Sequence, residues 1–166
     1  MIDKNYCMSH YLAFRFIKDE NINFFDGLSH TVFKPRDEKE IALVSTIDEM
    51  DSIIRAKINE FYVPNKTAIL LSGGIDSAIL ASYLPEGTKA YTFKCIADGA
   101  IDETAQARKY CDAYKLDHEI IEMNWSDFEE LTPEILKADG VPFHSIEVQL
   151  LKAAKYAKSQ GIERFI

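Results

Sequence analysis

Long apolar runs are missing from this chain of 166 residues. Its most continuous apolar stretches, such as Ala68 to Leu71, are a few residues long against the ~20 that a membrane-crossing helix needs, so no transmembrane segment is predicted. The first residues, with Asp3, Lys4 and Asn5 and then Lys18-Asp19-Glu20, lack the apolar stretch and small-residue cleavage site of a signal peptide. A cytoplasmic location is expected. Cysteine is scarce: Cys7, Cys95 and Cys111 are scattered and form no CxxC pair, which argues against a disulfide framework and against zinc spacing, and fits a reducing compartment. Cys7 reads as a buried, inert thiol rather than a nucleophile. Positive charge is in deficit, with 19 Lys and Arg against 27 Asp and Glu and a formal net charge of −8. Phosphate backbones and anionic membranes attract clustered Lys and Arg, so neither nucleic acid nor membrane is an expected partner. Any anionic ligand has to be held locally.

With 47% hydrophobic residues, the chain can bury one full core. Two short β-type stretches, Tyr11 to Ile17 and Ile22 to Phe25, flank the polar Lys18 to Asn21 and predict an N-terminal β-hairpin. Phe33 to Lys39 is polar, carries Pro35 and has no apolar periodicity, as a connector would. Ile47, Met50, Ile54, Ile58 and Phe61 then recur at helical spacing, a stripe expected to be core rather than a ligand groove. From there strands and helices alternate. Strands are predicted at Ala68 to Leu71, Ala90 to Lys94, His118 to Ile121 and from Glu163. Helices are predicted from Asp76 to Leu84, from a cap at Asp102 to about Tyr114, after a Ser126–Glu129 capping box, and from Ser145 to near Gly161. Such alternation predicts an α/β fold with a parallel sheet covered by helices on both faces.

The run Ser72-Gly73-Gly74-Ile75-Asp76-Ser77 joins the first buried strand to the next helix. Ligands of open α/β sheets bind beyond the carboxyl ends of strands, where a helix start offers free N–H groups to phosphate. Gly73 and Gly74 let the backbone approach an anion, and the hydroxyls of Ser72 and Ser77 can donate to its oxygens. Asp76 suits the Mg²⁺ that accompanies a nucleoside triphosphate. The segment has no Lys and is not GxxxxGK[ST], GxGxxG or GxSxG, so kinase, dehydrogenase and hydrolase readings lose their motif.

SGGIDS after an apolar strand resembles the pyrophosphate-binding loop of the ATP pyrophosphatases. YTFKCIADGAIDETAQARKYCDAYKLDHEIIEM is similar to the synthetase domain of the asparagine synthetase family, YLAFRFIKDENINFFDGL to its segment between glutaminase and synthetase domains, and Asp139-Gly140-Val141-Pro142-Phe143 to its Asp-Glu-Pro-Phe. The resemblance implies an adenine nucleotide alpha-hydrolase-like fold and an ATP-dependent amide ligase. In that enzyme an aspartate or similar carboxylate is adenylated with release of pyrophosphate, and an amine displaces AMP. Carried over, Ser72, Gly73, Gly74 and Ser77 would hold the β and γ phosphates, Asp76 would ligate Mg²⁺, and Leu70, Leu71, Phe93, Lys94 and Cys95 would lie against adenine. The resemblance assigns no catalytic side chain.

The family pattern is also departed from. Residue 2 is Ile, where a glutamine-dependent member exposes cysteine, so the amine is expected from ammonia or a separate amine-donating subunit. The family's second acidic loop, Gly-Asp-Gly-x-Asp-Glu, follows the strand that here begins at Glu163, so a chain lacking the C-terminal part is expected. The expected organisation is a hairpin and connector over 1–40 and an ATP-binding synthetase domain over 41–166, with a homodimer as the assembly to test. Competing readings are a nucleotide-binding module without complete catalysis and a tRNA-modifying pyrophosphatase, against which the acidic balance counts. Asp102 and Glu103 read as an N-cap and a first-turn acid rather than metal ligands.

Overall fold

The computed structural model describes residues 1–32 and 34–166; Phe33, the first residue of the expected connector, lies outside them. The chain divides into two compact units, one gathering 1–42 with 126–151 and the other 43–125 with 152–166. Among the described residues no helix is long and apolar enough to cross a membrane.

The second unit carries the sheet. Strands β1 (Thr67–Leu70), β2 (Lys89–Cys95), β3 (Asp117–Met123) and β4 (Arg164–Phe165) lie in the order β3-β2-β1-β4, and all neighbouring pairs run parallel. Side chains alternate between the two faces, as the pleat requires. On one face Ile69, Leu71 and Ala90 pack with Ile58, Ala81, Ala107 and Cys111, contributed by α2 (Ile47–Phe61), α3 (Ile75–Ala81) and α4 (Thr104–Tyr114). On the other, Ala68, Tyr91 and Ile121 pack with Ala153 and Ala157 of α6 (Ser145–Ser159). The expected parallel sheet with helices on both faces is therefore present.

Helix α2 starts in a reciprocal cap: Glu49 N–H donates to Thr46 Oγ1 (3.2 Å) and Thr46 N–H to Glu49 Oε2 (3.1 Å). Its apolar stripe is only partly core. Ile58 is buried and Ile54 packs beside it, but Ile47 and Met50 are 86% and 54% exposed, contrary to expectation. The helix meets the core at Ile54 and Ile58, in its second half, which leaves Ile47 and Met50 in its first turns to solvent.

A polar cluster ties β2 and β3 to α6. Lys89 Nζ bonds Asp117 Oδ2 (2.8 Å) and Glu119 Oε1. Glu119 Oε2 accepts from Tyr156 Oη and Gln160 Nε2, both at 2.8 Å. Burial alone would raise the Glu119 carboxyl, but the bonds from Lys89, Gln160 and Tyr156 outweigh it and bring it down to about 2. A carboxyl depressed on folding stabilises the native state above its unfolded value, and the stabilisation is lost as pH falls through the folded one. Allowing for solvent screening, Glu119 should contribute on the order of 1–3 kcal/mol at neutral pH. We expect urea midpoints of the wild-type protein to fall between about pH 4.5 and pH 2, and Glu119→Gln to flatten that decline. An unchanged acid slope in the variant would show that other carboxyls govern it.

In the first unit the structure corrects the expected hairpin. Residues Lys4–Phe14 form helix α1, capped by Asp3, whose Oδ1 accepts Tyr6 N–H at 2.9 Å, and stopped by Arg15 in the left-handed region (φ 64°). Tyr11, Ala13 and Arg15 alternate with apolar neighbours and so imitate a strand. The decisive spacing is four, because Cys7 and Tyr11 are buried while Leu12 and Phe14 are 65% and 60% exposed. Tyr6, His10 and Phe14 stack along the same helix, with ring centroids 4.1 and 5.6 Å apart. The other half of the expected hairpin, Ile22 to Phe25, contributes only an isolated bridge from Asn23 to Ile2. Among the described residues of the connector, a 3₁₀ turn spans Glu38–Glu40.

Helix α5 (Trp125–Asp139) begins one residue before the expected cap, so Ser126 stands in its first turn. Gly140 follows it at φ 68°, with its backbone so near Ser29 that a Cβ there would stand 2.6 Å from Ser29 O. Both features demand glycine.

Candidate nucleotide site

Strand β1 sits inside the sheet, and the chain leaves it toward β2 on one side and returns as β4 on the other. The order of strands thus reverses at β1, and a crevice opens where crossings leave in opposite directions. The Ser72 to Ser77 loop begins two residues after the end of β1, at its carboxyl end. Two bonds lock the strand beneath it. Leu71 N–H donates to Tyr91 O (2.8 Å), and the buried Thr92 hydroxyl donates to Leu71 O (2.7 Å). Because Thr92 spends its proton on Leu71, its oxygen accepts from His118 Nε2 at 2.8 Å. His118 Nδ1, buried and without a partner among the described residues, is then the bare nitrogen of a neutral ring. Burial, with Arg108 nearby, pushes the His118 pKa down, in keeping with that state.

Within the loop the two serines act on each other as well as facing outward. Ser72 Oγ and Ser77 Oγ are 2.9 Å apart, Ser72 N–H donates to Ser77 Oγ (3.2 Å), and Gly74 N–H donates to Ser72 Oγ (3.1 Å). These bonds tie the two ends of the turn together from within the loop. The first intrahelical bond of α3 is Ala78 N–H to Gly74 O (3.3 Å), so the amides of Ile75, Asp76 and Ser77 precede the helical ladder. Asp76 is exposed in that first turn.

The remaining expected residues converge on the same end of the sheet. Leu70 closes β1 opposite Tyr91, and Phe93, Lys94 and Cys95 form the carboxyl end of β2. Leu71 is buried in the core below the loop, so its side chain does not face a ligand there. Lys94 pairs with Asp102 at 3.4 Å.

Of the two acids at the start of α4, Asp102 keeps a capping role and Glu103 does not fill the one read in the sequence. Asp102 Oδ1 accepts both the Thr104 amide (2.9 Å) and hydroxyl (2.6 Å), as an N-cap would, although it stands one residue before the cap position. Those bonds, with Lys94, hold the Asp102 carboxyl below its ordinary value. Glu103, expected as a first-turn acid, instead reaches the loop, its Oε2 accepting Gly73 N–H at 3.2 Å. The sequence carries no signal for this contact, which depends on β1 and β2 lying side by side in the sheet.

Two of the three thiols are buried. Cys111 is buried in the core, and burial pushes its pKa up to about 11; Cys7 is likewise buried and raised, first by burial and then by Asp3. Among the described residues no three His, Cys, Asp or Glu side chains gather to hold a metal ion. Asp76, an exposed carboxylate in the first turn of α3, is the kind of group that Mg²⁺ uses, since that ion binds through one or two carboxylates plus phosphate oxygens and water.

Three comparisons bear on this site. No curated protein matches the chain. Among solved structures it is similar to an NH3-dependent NAD synthetase from Campylobacter jejuni subsp. jejuni NCTC 11168, in complex with the nitrate ion. Identity is 18% and the TM-score 0.41, over 69% of this chain and 52% of that one. The chain thus spans about half the length of that structure. The asparagine synthase family model matches residues 65–165, which run from the turn before β1 through the loop to β4 and make up more than half of the sequence. On that match the chain belongs to the asparagine synthase family.

Proposed function

We propose that this chain carries the ATP-binding machinery of an amide ligase that forms AMP and pyrophosphate. The observation that carries the reading is the SGGIDS loop at the carboxyl end of β1, where the strand order reverses, within the family match. In this reading the amides of Gly73, Gly74 and the first turn of α3, with the Ser72 and Ser77 hydroxyls, grip the β and γ phosphates. Asp76 would hold Mg²⁺, which would supply positive charge to offset that of the departing pyrophosphate. The backbone of Leu70 and Leu71 and the Phe93 to Cys95 edge receive adenine.

A carboxylate oxygen of aspartate or a similar acid attacks the α phosphorus, and the bond to the bridging oxygen breaks so that pyrophosphate departs. Ammonia, free or delivered by a separate subunit, then adds to the activated carbonyl, and AMP leaves with the carboxylate oxygen. The chain's contribution is positioning and charge stabilisation, so no side-chain nucleophile is required. The test is incubation with ATP, Mg²⁺, aspartate and ammonia, with nucleotide products separated by ion exchange. AMP and pyrophosphate in equal amounts support the reading; ADP with orthophosphate overturns it. Nucleotide binding without either product would favour a binding module instead.

A further inference from the structure

An internal carboxylate is already seated on the loop backbone. Glu103 Oε2 accepts the Gly73 amide at 3.2 Å from thirty residues away in sequence. The approach is close: a Cβ on Gly73 would stand 3.1 Å from Glu103 Cβ and 3.4 Å from Gln106 Cβ, so Gly73 is what lets the start of α4 meet the loop. Glu103 occupies the cap position of α4 yet makes no cap bond to its own helix. Asp102 does that work through Thr104, and Lys94 offsets its charge. Glu103 is thereby left to reach across, and it is exposed, so no burial pins it there. A carboxylate oxygen on a backbone N–H presents the same charge and geometry as a phosphate oxygen would.

We infer that Glu103 is a charge filter on this loop: it holds the Gly73 amide in the nucleotide-free protein and gives that amide up to an incoming phosphate. It thereby favours phosphate ligands whose charge a divalent cation offsets over the bare polyanion. The inference rests on the reading of the loop as a phosphate site. Its physical basis is that a polyanion arriving at Gly73 must both displace a bonded carboxylate and sit beside it, and like charges at contact distance repel even at a protein surface.

The experiment is calorimetric titration of inorganic pyrophosphate into the wild-type chain and Glu103→Gln, each with Mg²⁺ and with chelator. Gln keeps the size of the side chain and an acceptor oxygen but removes the charge. The wild-type protein should bind magnesium pyrophosphate at least about tenfold tighter than bare pyrophosphate. The variant should bind bare pyrophosphate about tenfold tighter than wild type, with a much smaller gain when Mg²⁺ is present. Equal gains with and without Mg²⁺, or no gain, would overturn the filter while leaving the phosphate site standing. Failure of both proteins to bind pyrophosphate under either condition would overturn the site and the filter together. A second measurement needs no variant: saturating magnesium pyrophosphate should shift the Glu103 carboxyl carbon resonance of the wild-type protein along with the Gly73 amide. A Gly73 shift without a Glu103 shift would also overturn the inference.

Discussion

Replacing Asp76 with alanine should cut AMP formation by at least about 10²–10³-fold, on the scale of removing one group that stabilises transition-state charge, while leaving the fold intact. The two halves of this expectation come from different physics. Asp76 lies in the first turn of α3, and among the described residues none bonds its carboxylate. The only folding contribution lost is its interaction with the helix dipole, about 0.3–1 kcal/mol for an exposed acid. The functional loss is larger because Asp76 is the one carboxylate in the loop itself, and a carboxylate beside the β and γ phosphates is what recruits Mg²⁺. Magnesium-dependent pyrophosphate binding should weaken in parallel, while binding measured in chelator should be unchanged or slightly tighter. A variant that still forms AMP at the wild-type rate would refute the metal assignment and move it to another acid near the loop, with Glu103 the first to test.

The loop and its strand were legible because everything that defines them is local. An apolar run, two glycines, an acid and two serines fall within ten residues, and the sheet order only confirms where such a turn must sit. The same holds for α2, whose cap and stripe lie in one stretch, although which of its turns meet the core is not written in that stretch. Contacts that bridge long separations were not legible. Nothing in the letters pairs Glu103 with Gly73 or Glu119 with Gln160, since each bond depends on how neighbouring parallel strands and their helices are set side by side. The N-terminal error has another origin. Tyr11 to Ile17 satisfies period two, and the competing period of four becomes decisive only when Cys7 is counted with Tyr11. The placement of β4 beside β1, which makes the switch point, is likewise a matter of topology rather than of pattern.

Truncation of Tyr91 to alanine should destabilise the sheet unit by about 3–5 kcal/mol, the range for removing a large aromatic side chain from a packed core. Tyr91 is 1% exposed in the second strand of the sheet and touches Tyr156 and Phe165 edge-on, with centroids 5.8 and 6.0 Å away. Its hydroxyl donates to Gln160 Oε1 at 2.7 Å. Tyr91→Phe separates these effects. It keeps the ring contacts and removes one hydrogen bond, so a loss near 1 kcal/mol is expected. Urea unfolding followed by circular dichroism measures both; equal losses would mean that the hydroxyl, not the ring, holds α6 to the sheet. The alanine variant should also act unevenly along the sheet. Strand β4 has two residues and leans on Tyr91 through Phe165, whereas β2 and β3 pair over seven. Hydrogen exchange should therefore quicken first at the amides of Leu70 and Ile166, which join β1 to β4 at 3.0 and 2.9 Å. Those amides flank the crevice beside the loop, so pyrophosphate affinity should fall with their protection, and a variant that loses one but not the other would uncouple β4 from the site.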